Sequence, residues 1–531
     1  MLFHNHRFDV QVAETWMGMP RPKVIEDTMI LLYLLHPHER SISLKESAQR
    51  ILDIAPEERD LVKEWVLANI RCKPSEWGAF ICLAPGTLVG PYANGDVTRT
   101  LQLWNHLRPK LDEGMERAYE RELALAPILD DKESFGIRVD RDQLYADERK
   151  YTNVRDQCDL RIRKAVGRAV NVDSNGDLAE ALEAAGLADP TLWLRTPTGA
   201  RSVAKDSLRR AVTAPDMLAL LQYRNAINTC LTTFMQPWLE LSQIDGRLHT
   251  SWHHVRGDTA GGTRTGRLSS SHPNFQNVPN EFDFVIPAGA PPIPLMRRYL
   301  LPEPGHVWVK RDFSSQEVRI LAHFEDGPLA AAYQADPLLD PHKWTQDTIK
   351  KLTGQELSRK IVKITGFSIL YGSGITGLSG TLNVSDTEAR NIRDSYLGAI
   401  PGIRNLQNDL RDRSRAGIPI RTWGGRLYYA EEPRYINGKY KEFGYKLLNY
   451  LIQGSAADQT KQVMIDWHRA HETDWHMLNQ VHDEINLSVP ADQVDDAMHY
   501  LETTMNQDMF DVPMRSEGFT GPNWCDLEDY K

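Results

Sequence analysis

Two aspartates stand out because their surroundings do not explain them. In the stretch Leu478–Leu487, LNQVHDEINL, the ionisable run His482, Asp483, Glu484 interrupts an apolar segment. Asp483 falls in the same alternation class as Val481, Ile485, Leu487 and Val489, the period of a strand half-buried in a sheet. An unpaired carboxylate on such a face is costly, because its charged form loses water. The second signal is HVWVKRDFSSQEVRILAHF, residues 306–324. Val307 and Val309 alternate with other residues, which predicts a strand ending near Asp312. Ser314-x-x-Glu317 has the form of a helix start, and Val318, Leu321 and Ala322 supply a helical stripe. Glu317 taken alone reads as a capping-box acid. With Ser314 as the cap, Asp312 is surplus. Two surplus carboxylates at strand ends suit a phosphoryl-transfer site in which a pair of Mg²⁺ ions ~4 Å apart clamps the attacking and leaving oxygens.

The third signal is SRKIVKITGFSILYGSG, residues 358–374, where Arg359, Lys363, Phe367 and Tyr371 recur every four residues. On a helix each such step advances by only ~40°, so the four share one slowly curling face. A solvated basic face would not continue into two aromatics. Gly366 costs about 1 kcal/mol relative to Ala inside a helix, which implies that something approaches closely there. Two cations followed by two rings in one column form a holder for a triphosphate with a base stacked beyond it.

These side chains need a scaffold. Residues 24–70 predict three helices, and 92–130 one long helical region following the turn-like APGTLVGPYANGD. A short strand pair fits FGIRVDRDQL near 135–144, and 141–242 is mostly helical in period. The segment 247–279, rich in Gly, Ser, Asn and Arg, predicts a binding surface. The chain of 531 residues has a net charge of −10, which does not exclude a nucleic-acid partner, since binding depends on local patches and bridging metals. No apolar run is long enough to cross a bilayer, and no secretory signal is evident. Five scattered cysteines without a C-x-x-C pair support neither a disulfide framework nor a zinc ribbon. A cytoplasmic protein is expected, in a bacterial host if phage-encoded.

Taken together the motifs resemble those of the A-family DNA polymerases, the group of bacterial DNA polymerase I and many phage replicases. Asp312-Phe-Ser-Ser-Gln-Glu317-Val-Arg319 resembles the first palm motif, and His482-Asp483-Glu484 the second. Arg359-x-x-x-Lys363-x-x-x-Phe367-x-x-x-Tyr371-Gly372 is similar to the fingers-helix motif. TGRLSSSHPNFQNVP (265–279) resembles the primer–template segment, DPHKWT the segment whose His, here His342, contacts the triphosphate, and NYLIQGSAAD (449–458) the template-contact segment. Departures are Phe313 for the usual Tyr, Ser315 and Gln316 for the common Gln-Ile pair, and Tyr445 where bacterial relatives often carry Arg.

The resemblance implies an α+β multidomain right hand: an antiparallel palm sheet with helical fingers and thumb, preceded by a partial ribonuclease H-like α/β exonuclease domain. The implied divisions are 1–112 exonuclease-like, 113–245 linker and thumb, 246–325 palm, 326–440 fingers and 441–531 palm again. It implies primer extension with dNTPs on template DNA, with Asp312, Asp483 and the Phe313 carbonyl holding two Mg²⁺ ions (Mn²⁺ as a substitute) and Lys363 acting in catalysis. Arg359, Lys363, His342, Phe367, Tyr371, Glu317, Gln316 and Ser315 would contact the dNTP. Arg267, Asn277, Asn449, Gln453 and His482 would contact DNA. The rivals are a single-subunit RNA polymerase, against which Glu317 and Glu484 count, and a catalytically dead accessory protein, against which the intact Asp312, Asp483, Arg359 and Lys363 count.

At the N-terminus, Asn5-x-x-x-Asp9 and Tyr92-x-x-x-Asp96 resemble the second and third motifs of a 3′-to-5′ proofreading exonuclease, with Asp27 between them. The first motif, D-x-E, would lie before Asn5. This reading predicts a chain that polymerises without proofreading. Three alternatives stand: a second polypeptide supplies the missing half, the remnant is structural, or the recorded start is too late.

Overall fold

The computed structural model describes residues 1–256, 262–282, 284–436, 438–470 and 474–530. Leu2–Phe3 lies parallel to Glu26–Asp27, and the three helices expected between 24 and 70 appear as Thr28–Leu35, Leu44–Leu52 and Glu57–Asn69. The turn-like stretch before residue 97 is not a turn: a helix runs from Gly86 to Leu107 straight through Pro91. Its Leu88, Val89 and Tyr92 pack against the buried Val62 and Val66, and that burial overrides the poor local propensity. The expected single helical region beyond it is two helices. A 3₁₀ turn at Arg108–Lys110, containing Pro109, ends the first, and Asp112 caps the second, Glu113–Phe135, by accepting from the Met115 amide at 2.9 Å.

The strand pair expected near 135–144 is one strand, Ile137–Val139, between partners distant in sequence, Arg247–Leu248 and Leu300–Leu301. Asp140 instead caps the Arg141–Val166 helix, against which Pro215–Thr229 packs. Local sequence cannot announce partners that far away.

The site is carried by a five-stranded antiparallel sheet in the order His476–Val481, Glu484–Pro490, His306–Phe313, Ser516–Gly521, Glu528–Asp529. Ile485 to Val489 are all buried, so this strand is enclosed on both faces rather than half-buried. Its polar members are satisfied: Asn486 accepts from the Trp308 indole at 2.9 Å, and Ser488 meets the Glu303 amide at 2.9 Å. The long helix Lys446–Ala470 packs on Glu113–Phe135 and on Gln316–Glu325. Six helices between Pro328 and Arg415 form the lobe that includes Arg359–Leu370.

Where the Glu113–Phe135 helix meets the Lys446–Ala470 helix, charges are enclosed without solvent. Glu122 accepts from Lys461 at 2.5 Å, from Arg426, and from His254 Nδ1 at 2.7 Å. Arg426 also donates to Asp458 at 2.6 Å, and Tyr33 lies under its guanidinium at 5.5 Å. Burial would raise the Glu122 carboxyl, but Lys461 and Arg426 hold it well below the carboxylate range. Burial drives His254 down to about 4, so it stays neutral and donates. Every carboxylate oxygen here has a cationic or hydrogen-bonded partner, the condition under which buried charge is tolerated. Among the described residues, no helix is long and apolar enough to cross a membrane.

Candidate active site

Asp312 ends the central strand, and Asp483 lies in the two-residue turn joining Val481 to Glu484. Asp483 is therefore a turn residue and not a member of the alternating strand. The Phe313 amide donates to the Asp483 carbonyl at 3.3 Å, and Glu484 stands opposite Asp312 in register, so the two acids meet at one edge of the sheet. The backbone is left-handed on both sides of the site, at His482 (φ 55°) and at Ser315 (φ 58°). Neither is glycine, so conformational strain is concentrated at this edge. Burial raises the Asp312 carboxyl above its ordinary value, with Lys310 opposing and Glu484 adding. Burial and the Asp312 charge likewise raise Asp483, with Arg267 opposing. Two half-buried carboxyls facing each other resist ionisation, and a cation between them relieves both penalties.

The capping-box reading of Ser314 and Glu317 does not survive. The helix is Gln316–Glu325, Ser315 occupies the cap position without a side-chain cap bond, and the Ser314 hydroxyl donates to Glu517 at 3.0 Å. Glu317 instead forms an ion pair with Arg267 and accepts from the Tyr371 hydroxyl at 3.2 Å. Burial raises its carboxyl, against Arg267. This triad crosses a cleft of about 780 Å³ lined by Arg267, Ser315, Gln316, Glu317, Phe367, Tyr371, Asn449, Gln453, His482 and Asp483.

The Arg359–Leu370 helix is capped by Ser358, which accepts from Ile361 at 3.2 Å. Along its face the Phe367 and Tyr371 rings stack at 5.8 Å. Arg359 and Lys363 are exposed further up the same column, outside the cleft lining, and Arg359 is paired with Asp340 at 2.7 Å. His342 is buried behind Phe367, ring centres 6.2 Å apart, and burial lowers it to about 4. The close approach implied by Gly366 is Tyr396: a Cβ at 366 would sit 2.6 Å from its hydroxyl.

Two expected contacts fall elsewhere. The Gln316 amide nitrogen is taken up by Ala456, Gln459 and Thr460 on the Lys446–Ala470 helix, which makes it a strut between helices. Asn277 lies on an exposed 3₁₀ turn away from the cleft lining. Sequence reasoning missed Lys310, which bonds Glu484 at 2.6 Å and lies 3.5 Å from Asp312. Its position two residues before Asp312, on the same strand face, was the available signal. Tyr445 was noticed only as a departure, and Lys446 and Tyr450 were missed, yet all three line the cleft.

The N-terminal acids do not assemble. Lys45 forms an ion pair with Asp96 and lies over the Tyr92 ring at 3.9 Å. Asp27, fully buried, accepts from His6 Nδ1 at 2.7 Å and from the amides of Asn5, His6 and Met29. Asp9 is raised by burial and by Asp27. Among the described residues, no group of three or more His, Cys, Asp or Glu side chains is placed to hold a metal ion. At the sheet edge two carboxylates suffice for Mg²⁺, which keeps waters and takes further ligands from substrate phosphates.

Comparison with known proteins agrees with this geometry. Residues 1–112 match the profile described as 3′-5′ exonuclease. The chain is 28% identical to DNA polymerase I of Chloroflexus aurantiacus over 99% of its own length and 54% of that protein's. It is 26% identical to DNA polymerase DpoZ of Salmonella phage PMBT28, covering 98% of this chain and 87% of that one. The chain spans about half the length of the bacterial relatives it matches. The fold is that of the POL domain of Pol1 from M. smegmatis, solved as a complex with DNA primer-template and dNTP. The TM-score is 0.78 at 23% identity, covering 98% of this chain and 86% of that one. Residues 141–526, well over half the molecule, match the profile described as DNA polymerase family A, and the chain belongs to that family.

Proposed function

We propose that the chain is a DNA-templated DNA polymerase that extends a primer 3′-hydroxyl with dNTPs and releases pyrophosphate. One observation carries the reading: Asp312 and Asp483 converge at the sheet edge, on the floor of a cleft walled by Phe367, Tyr371 and Glu317. Asp312, Asp483 and the Phe313 carbonyl would hold Mg²⁺ or Mn²⁺, which when bound supplies a more acidic primer hydroxyl and charge neutralisation at the phosphates. Arg359 and Lys363, on the same column as the rings, take the β- and γ-phosphates, with Arg359 leaving Asp340 to do so. Phe367 and Tyr371 bound the base and sugar. Glu317 fills the space beside the sugar C2′, which disfavours a ribonucleotide. Arg267, Asn449, Gln453 and His482 face the primer–template. In this reading 1–112 is the exonuclease-like part, 113–245 linker and thumb, 246–325 and 441–531 palm, and 326–440 fingers. The test is primer extension with Mg²⁺. Asp312→Asn and Asp483→Asn each abolish extension while DNA binding persists; extension within about tenfold of the parent in either variant identifies the wrong acids.

We read residues 1–112 as structural in this chain. The Lys45 ammonium already occupies the carboxylate of Asp96, and Asp27 is saturated by its four donors. The chain is incubated with a mismatched primer terminus, Mg²⁺ and no dNTPs. The primer remains intact; degradation that disappears in Asp96→Ala overturns this reading.

A further inference from the structure

The strands Arg434–Ile436 and Lys439–Lys441 form an antiparallel hairpin whose residues are exposed, with only Ile436 partly covered. Tyr435 and Tyr440 stand directly opposite each other, 74% and 58% exposed, rings edge-on at 5.5 Å. Alternation sends Arg434, Lys439 and Lys441 to the other face and rim of the same ribbon. Core packing does not account for two tyrosines presented to water in this way. The local charge is also at odds with the molecule. Within 434–446 the basic residues are Arg434, Lys439, Lys441 and Lys446 against a single acid, Glu442, in a chain of net charge −10.

The root of the hairpin is fixed. Glu431 accepts from Lys446 at 2.5 Å, from Arg264 at 3.0 Å and from Tyr450 at 3.2 Å. Phe443 is buried beneath Arg434 and Lys446, whose charges lie 5.1 and 4.6 Å from its ring centre. Directly after it, Tyr445, Lys446 and Tyr450 line the active-site cleft. The ribbon is thus an outward continuation of the cleft wall.

We propose that this hairpin holds the unpaired template strand before it enters the cleft. An exposed aromatic face stacks on any base, and neighbouring ammonium and guanidinium groups follow the phosphates without reading sequence. The proposal rests on the polymerase reading above. It is tested on the full chain with two primer-templates, one with a 5′ overhang of one nucleotide and one with an overhang of about ten. Affinity is measured by fluorescence anisotropy and extension on the same DNAs. The parent binds the long overhang about tenfold more tightly, and Tyr435→Ala/Tyr440→Ala loses that increment while its affinity for the short overhang and its extension rate there are unchanged. Lys439→Glu/Lys441→Glu loses the increment and flattens its salt dependence. An undiminished increment in both variants overturns the proposal. So does an equal loss on both DNAs, which marks a duplex contact. Failure of the parent to extend either DNA overturns the polymerase reading instead, and is seen separately from the overhang-dependent binding.

Discussion

Replacing Asp483 by Asn should make the metal-free protein more stable. Asp483 is raised from 3.8 by burial and by Asp312. An acid whose folded pKa lies above its unfolded value destabilises the fold. The penalty is absent below 3.8, grows as pH rises, and is complete above the folded pKa. Two carboxylates ~5 Å apart at an effective dielectric of ~20 repel by about 3 kcal/mol. The Asp312 side chain is 34% exposed, so screening reduces this to about 1–2 kcal/mol. Asn keeps the shape and removes one charge. The midpoint of the transition that melts the palm sheet should rise by roughly 2–5 °C at about pH 8 in chelator, and the gain should shrink steadily toward about pH 4. Scanning calorimetry across pH, with and without millimolar Mg²⁺, reads this. Mg²⁺ should narrow the gap, because it stabilises only the parent. A variant that is less stable than the parent at high pH, or a gain independent of pH, refutes the view that these acids are held in mutual conflict.

Four other outcomes are expected. Lys310→Met removes the cation that opposes the rise of Asp312, so the acid limb of the pH–rate profile should move to higher pH; an unmoved limb shows that Lys310 serves only Glu484. Glu317→Ala should raise kcat/KM for rNTPs relative to dNTPs, and an unchanged ratio removes the gate assignment. Phe367→Tyr should relax discrimination against dideoxynucleotides, since a phenolic hydroxyl can replace the partner that a missing 3′-hydroxyl leaves unsatisfied; equal chain termination by both versions refutes it. Gly366→Ala places a Cβ 2.6 Å from the Tyr396 hydroxyl and should cost about 1–3 kcal/mol, largely recovered by adding Tyr396→Phe, which denaturant titration measures.

The chemistry was more legible than the scaffold. Asp312 and Asp483 could be singled out because a carboxylate among apolar neighbours has no local justification, and the four-residue column of Arg359–Tyr371 follows directly from helical geometry. Gly366 correctly announced a close approach, but the neighbour is Tyr396 of the protein itself. Glu317 was read locally as a cap, whereas its partners Arg267 and Tyr371 lie 50 and 54 residues away. The same limit hid the partners of Ile137–Val139. The helix through Pro91 defied its turn-like composition because burial against Val62 and Val66 outweighs propensity, a balance no local window contains.

The enclosed charges around Glu122 have a consequence for anyone who would shorten this molecule. Tyr33, from the first domain, lies under Arg426 and donates to the Thr263 carbonyl at 2.8 Å, so a residue of the nuclease-like portion roofs a charge network belonging to the polymerase. Arg7 similarly answers Asp130 and Glu133. Cutting the chain at residue 112 would bare Met115, Ala118, Tyr119 and Val255, which share one apolar cluster with Ile30–Leu34. It would also admit water to ions whose pairing depends on being dry. The first domain thus works as masonry, and a trimmed polymerase core should aggregate where the intact chain stays in solution.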